Sequence, residues 1–142
     1  MDAEEARKRT YEFMDEVFNK KNLEYARDNM AEDFVEHQEM PGIPSTKAGA
    51  LQFFQMMFSA FPDMKADVQD VIVDGDKIAI VSMNRGTHQG EFMGIPATGK
   101  PVNMGSTDVV RIDDDGMVHE HWGVSDTMGM MMQMGVIPSP DK

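Results

Sequence analysis

The sequence predicts an α+β fold in one domain, with helices placed ahead of an antiparallel sheet. Three observations carry this. Apolar residues recur at three- and four-residue spacing up to Phe61, and from Met64 onward they alternate instead. The alternating segments are joined by short turns such as Asp74-Gly75-Asp76, whereas a parallel sheet would need a crossover between successive strands. The chain, at 142 residues, has the usual length of a single domain and shows neither an internal repeat nor a linker.

Each element can be justified in turn. Asp2 caps a first helix whose inward positions are Ala6, Thr10, Phe13, Met14, Val17 and Phe18, running to about Lys20. A second helical stretch, residues 23–30, leads into a short strand over residues 33–38 that carries His37. The run Met40-Pro41-Gly42-Ile43-Pro44 ends whatever precedes it. Ser45 or Thr46 caps a third helix with Ala48, Leu51, Phe54, Met57, Phe58 and Phe61 along one stripe, stopped by Pro62-Asp63. Val68, Val71 and Val73 enter a hairpin at Asp74-Gly75-Asp76 and return through Ile78 and Ile80. Residues 90–101, rich in Gly and Pro, interrupt the sheet, and residues 102–112 resume it. The turn Asp113-Asp114-Asp115-Gly116 delivers the chain into residues 117–126. Asp126 then caps a helix through Met134, closed by Gly135 in the left-handed position. Residues 138–142 read as a loose tail of the domain spanning 1–142.

Residues 117–126 hold two histidines, two carboxylates and the single tryptophan. Alternation puts His119, His121, Gly123 and Ser125 on one face, and Val118, Glu120, Trp122 and Val124 on the other. A four-residue turn at 113–116 sets Val110 opposite His119 and Asp108 opposite His121, whereas a three-residue turn pairs Asp108 with Trp122. The first register is preferred because it keeps Val109, Val118 and Trp122 on the apolar side. An Asp beside a His fixes the imidazole tautomer and raises its basicity, as proton transfer requires, although an ordinary Asp–His hydrogen bond explains the pair equally well.

Composition narrows the function. The formal charge of −12 argues against nucleic acid or an anionic membrane as partner. No apolar run approaches the roughly 18 to 20 residues of a membrane span, and no basic-then-apolar leader opens the chain, so a cytoplasmic protein is expected. Without cysteine there is neither disulfide nor thiolate site. The 16 methionines stand where Leu would serve in a softly packed core or interface. His37 and His88, judged alone, read as surface or loop residues. His119-Glu120-His121 permits a metal without specifying one, and no His-Glu-x-x-His spacing, phosphate-cradling loop or nucleophile elbow occurs.

The runs Phe61-Pro62-Asp63, Gly86-Thr87-His88-Gln89-Gly90-Glu91-Phe92, Gly94-Ile95-Pro96-Ala97-Thr98-Gly99-Lys100, Val110-Arg111-Ile112, Glu120-His121-Trp122 and Gln133-Met134-Gly135 carry a family signature in their order and spacing. From about His37 to Pro138 the chain resembles the SnoaL-like polyketide cyclase, or ester cyclase, family. The resemblance implies an α+β cone of the ketosteroid isomerase and scytalone dehydratase kind, with a curved antiparallel sheet around a helix-capped pocket and an outer face that meets a second subunit. It also implies intramolecular aldol cyclisation without metal or cofactor, by an aspartate acting among pocket histidines. Those histidine positions fall on Asp108 and His121, and the aspartate falls on Gly123, which has no proton acceptor.

These observations set the expectations. Asp108 and His121 are the catalytic candidates, with Asp108 as the base and His121 stabilising the enolate. His37, His88, His119, Gly123, Met104 and Ser106 are expected to line the pocket, with no metal or cofactor. The partner is a small hydrophobic carbonyl compound, and a second copy of the chain docks through Val118, Trp122 and Val124. The reaction class is a cyclisation or isomerisation. A non-catalytic pocket for a hydrophobic metabolite, and an epoxide or ester hydrolase on the same scaffold, stand as alternatives.

Overall fold

In the computed structural model, which describes residues 1–140, the Asp2 carboxylate accepts the Glu5 N–H and caps helix α1, Ala3–Met14. Its Ala6, Thr10 and Met14 are buried. The predicted extension toward Lys20 is present as a π-helical turn, Asp15–Asn19, which buries Val17 completely. Asn22 caps a short α2, Leu23–Asp28, and Thr46, rather than Ser45, caps α3, Lys47–Ala60. Gly49 lies in the first turn of α3, where an added Cβ would stand 1.8 Å from the Pro44 carbonyl oxygen. Helix α4, Thr127–Gln133, is capped by Asp126 and closed by Gly135 at φ +78°. Residues 138–140 have no regular structure, and Asp141 and Lys142, the rest of the expected tail, lie outside the described residues.

The strands are β1 Met30–Glu36, β2 Lys65–Asp74, β3 Lys77–Thr87, β4 Pro101–Ile112 and β5 Val118–Ser125. They form one sheet in the order β1-β5-β4-β3-β2. The four later strands pair antiparallel, and β1 adds parallel to β5, so the sheet is mixed. Irregularities in the β1–β5, β2–β3 and β4–β5 pairings help it bend. The concave face carries Ala66, Val71, Ile78, Ile80, Val102 and Ile112, covered by the helices through residues such as Met14, Met57, Phe61 and Met130. Six methionines, at 14, 30, 57, 64, 130 and 134, are buried in this core, where they replace Leu as soft filling.

The β4–β5 register departs from the expected one in two ways. Asp108 lies opposite Gly123 and Val110 opposite His121, a slip of two residues that leaves each side chain on its expected face. Farther along, Arg111 pairs with Glu120 and the adjacent Ile112 with Val118, which leaves His119 as an extra residue on the bulged strand. The bulge inverts the alternation from that point. Val118 therefore packs inward against the core, and His119 leaves the His121 face to meet Asp33 and Asp113.

Candidate active site

Between the concave sheet and the helices is a cavity of about 250 Å³. Most of its wall is aromatic and aliphatic, including Phe13, Phe53, Phe54, Met57 and Phe61. One end is polar, and alternation on three strands builds it. Strand β1 turns Phe34 and Glu36 inward, β4 turns Met104, Ser106 and Asp108 inward, and β5 turns His121 and Ser125 inward.

His121 sits at the centre. Its Nδ1 lies 2.5 Å from Glu36 Oε2 and its Nε2 lies 2.8 Å from Asp108 Oδ1. A ring with both nitrogens on carboxylates must donate from both, and that ring is an imidazolium. Burial disfavours the charge, but the hydrogen bonds to Asp108 and Glu36 outweigh it and push the His121 pKa up to about 9. The three groups together carry one net negative charge. Each carboxylate has a further support. Glu36 Oε2 accepts the Gln38 backbone N–H at 3.1 Å, and Asp108 Oδ2 accepts the Ser106 hydroxyl at 3.3 Å. Ser106 in turn contacts Ser82 Oγ and accepts from Asn84 Nδ2, both at 3.1 Å.

Gly123 adds no wall of its own, but it controls the space. A Cβ there would lie 2.5 Å from Gln38 Oε1 and 2.8 Å from both Asp108 Oδ1 and His121 Cε1. The close meeting of Asp108 and His121 beside Gln38 uses the volume that any side chain at 123 would fill.

The expected site residues thus separate. Asp108, His121, Met104 and Ser106 converge on the cavity, with Gly123 immediately behind them. The other three histidines do not line it. His37 follows the last residue of β1 and turns outward, stacked on Trp122 at 4.7 Å between centroids, with its Nε2 2.8 Å from Glu120. Glu120 also accepts from Arg111 Nε at 2.6 Å. His88 is fully buried at the base of the 88–100 loop, where its Nδ1 meets the Thr98 hydroxyl at 3.0 Å and N–H at 3.3 Å. His119, turned away by the bulge, is held by Asp113 at 2.8 Å and Asp33 at 3.0 Å. Its pKa is raised, chiefly by the Asp113 hydrogen bond.

Glu36 and Gln38 were not foreseen, although a signal was present. Phe34 and Glu36 lie two apart on a strand whose Phe34 belongs to the core, so a carboxylate at 36 had to face the interior. Among the described residues no three His, Cys, Asp or Glu side chains are arranged to hold a metal ion. No described helix is long and apolar enough to cross a membrane.

The family model of SnoaL-like polyketide cyclases matches residues 8–134. No curated protein matches the chain significantly in sequence. Among solved structures, the proposed polyketide cyclase IdmH of Streptomyces antibioticus is 38% identical, with a TM-score of 0.76 over 90% of this chain and 97% of that one. A proposed hydroxylase, AclR of Streptomyces galilaeus, is 26% identical, with a TM-score of 0.84 over 97% and 85% of the two chains. TsrD of Streptomyces laurentii, at 22% identity, shares the fold with a TM-score of 0.85 over 96% and 99%.

Proposed function

Because the chain belongs to the SnoaL-like polyketide cyclase family and has its cyclase and isomerase type of scaffold, we propose that it closes or isomerises a hydrophobic carbonyl compound by acid–base catalysis at Asp108. The observation that carries this reading is the Glu36–His121–Asp108 chain at a polar end of a largely apolar cavity. An apolar wall holds the body of the substrate, and a few convergent polar groups orient its reacting end.

Asp108 takes the proton from an acidic C–H beside a carbonyl, and the electron pair of that bond passes into the enolate. The enolate carbon attacks a second carbonyl of the same molecule. One C–C bond forms, the attacked C=O becomes an alkoxide, and Asp108 returns its proton to that oxygen. Atoms balance without water. For isomerisation the proton returns to a different carbon.

His121 has a different role from the expected one. With both N–H groups committed to carboxylates, it aims the Asp108 carboxylate, and it is not free to bind the enolate oxygen. It is a positioning residue, with Glu36 behind it. The outer sheet face, with Val109, Trp122 and Val124, supports a second copy of the chain as partner, and Val124 is 74% exposed. Val118 is not part of that surface, since the bulge turns it into the core.

The test is stereospecific hydrogen exchange in deuterated water, measured by NMR across a panel of flat aromatic 1,3-dicarbonyl compounds. Positioned acid–base catalysis contributes about 10²- to 10⁴-fold, so Asp108→Asn lowers the exchange rate by about that factor. An unchanged rate removes Asp108 from the mechanism, and saturable binding without exchange across the panel makes the protein a binding module.

A further inference from the structure

Among the described residues two that are not glycine hold a left-handed φ, Lys21 at +56° and Met93 at +52°. That backbone crowds a Cβ against the following carbonyl oxygen, so a long side chain stays there only where something holds it. For Lys21 the reason is local. It follows the helical turn Asp15–Asn19 and its cap Lys20, where helices commonly close with a left-handed residue, and its Nζ donates to the Phe18 and Met64 carbonyls at 3.3 and 2.6 Å. Met93 has no such reason. It is the first residue of a two-residue hairpin loop, Met93-Gly94, closed by the Phe92 N–H on the Ile95 carbonyl at 3.0 Å and the Ile95 N–H on the Phe92 carbonyl at 2.9 Å. Gly94 stands at φ +82°, so both loop residues are left-handed, a turn that Asn-Gly fills without strain. The flanking residues serve the core, since Phe92 is buried against Phe53 and Phe61 and Ile95 packs on the same cluster. Met93 is 44% exposed.

The cavity supplies the missing reason. Met93 is part of its wall, and of the described residues that line it only Arg9, Pro44, Ser45, Met93 and Thr127 are exposed. A residue that is both exposed and part of the wall stands at the rim of an opening. Among these five, Met93 alone carries a long apolar side chain, a flexible thioether that adapts to the shape of whatever it covers. We propose that Met93 is a ligand-binding residue at the rim of the cavity, held in the left-handed turn so that its side chain closes on the apolar edge of a hydrophobic ligand. The chemistry it selects at the opening is an uncharged hydrocarbon edge, not a charged or hydrogen-bonding group. The strain at Met93 is thus kept for binding and not for the fold. This inference goes beyond the acid–base reading above and does not rest on it, because it concerns binding alone, whichever residue moves the proton.

Because the residue is strained, the test has two readouts expected to move in opposite senses. Met93→Asn creates the favoured Asn-Gly turn and removes the thioether, whereas Met93→Leu keeps an apolar side chain on the same strained backbone. The probe is prodan, an uncharged naphthalene ketone whose fluorescence moves to the blue away from water. Met93→Asn is expected to raise the melting temperature by about 2 to 4 °C, as relief of one strained residue in a domain of this size, and to weaken prodan by about 5- to 20-fold, the scale of a partly buried methionine contact. Met93→Leu is expected to hold the melting temperature within about 1 °C and the prodan affinity within about threefold, since both follow from a kept apolar side chain on an unchanged backbone. A melting temperature that fails to rise in Met93→Asn assigns the methionine to the fold and overturns the proposal. Undiminished prodan affinity in Met93→Asn, an equal loss in Met93→Leu, or no saturable prodan binding by the wild type also overturns it.

Discussion

The sharpest physical consequence of the site is that His121 must titrate far from its ordinary value and tie stability to pH. Its pKa rises from 6.5 to about 9, in favour of the charged ring despite burial. At about 1.36 kcal/mol per pKa unit, this corresponds to about 3 kcal/mol of preferential binding of the proton by the folded state. The folded pKa lies above the unfolded one, so this stability is fully present below pH 6.5 and is lost as the pH rises through about 9. For a domain of this size each kcal/mol is worth about 2 to 4 °C, so thermal melting should fall by roughly 10 °C across that window. His119, also raised, adds to the slope in the same direction. The assay is NMR titration of the His121 Cε1–H resonance beside melting curves at the same pH values. Glu36→Gln removes one of the two carboxylates and should lower the His121 pKa by about one unit. His121→Gln should flatten most of the melting slope. A wild-type His121 that titrates near its ordinary value, or a slope that persists undiminished in His121→Gln, refutes the reasoning.

Two further predictions test the scaffold. Gly49→Ala forces a Cβ onto the Pro44 carbonyl oxygen, a backbone atom that cannot swing aside, and is expected to cost about 3 kcal/mol or more in urea unfolding, far beyond the ordinary Gly-to-Ala change in a helix. Trp122→Glu places a charge on the outer sheet face, and sedimentation equilibrium is expected to report a dimer for the wild type and a monomer for the variant, while the far-UV circular dichroism stays unchanged.

Much of this was legible in the sequence because it is local. The caps at Asp2, Thr46 and Asp126 and the left-handed Gly135 are decided by a few neighbouring atoms, and each stands where turn and cap chemistry put it. The pairing of Asp108 with His121 across the site also survived a wrong register, for a general reason. A slip of two residues preserves the face, so the two side chains still meet, diagonally instead of directly opposite. What was not legible depends on distant partners. Nothing in Met117-Val118-His119 announces a bulge, because it coincides with His119 held by Asp113 across the turn and by Asp33 from a strand 86 positions away. The parallel docking of β1, and with it the arrival of Glu36 beside His121, belongs to the same long-range class.

The two histidines of β5 then show how one residue of slack separates structure from chemistry. His119 and His121 are each held between two carboxylates, one from β1 and one from the β4 side. The bulge sends the first outward, where it ties β1 to the β4–β5 turn, and leaves the second in the cavity. There the charge count matters more than the residue types. Glu36, His121 and Asp108 hold one net negative charge, so a neutral carbonyl compound enters more easily than an anion. When Asp108 takes a proton the three groups become neutral together, and the substrate oxygen carries the charge instead. The total within the apolar walls does not change. Proton abstraction thus moves one negative charge over a short distance and creates none, which is the least costly way to run enolate chemistry away from water.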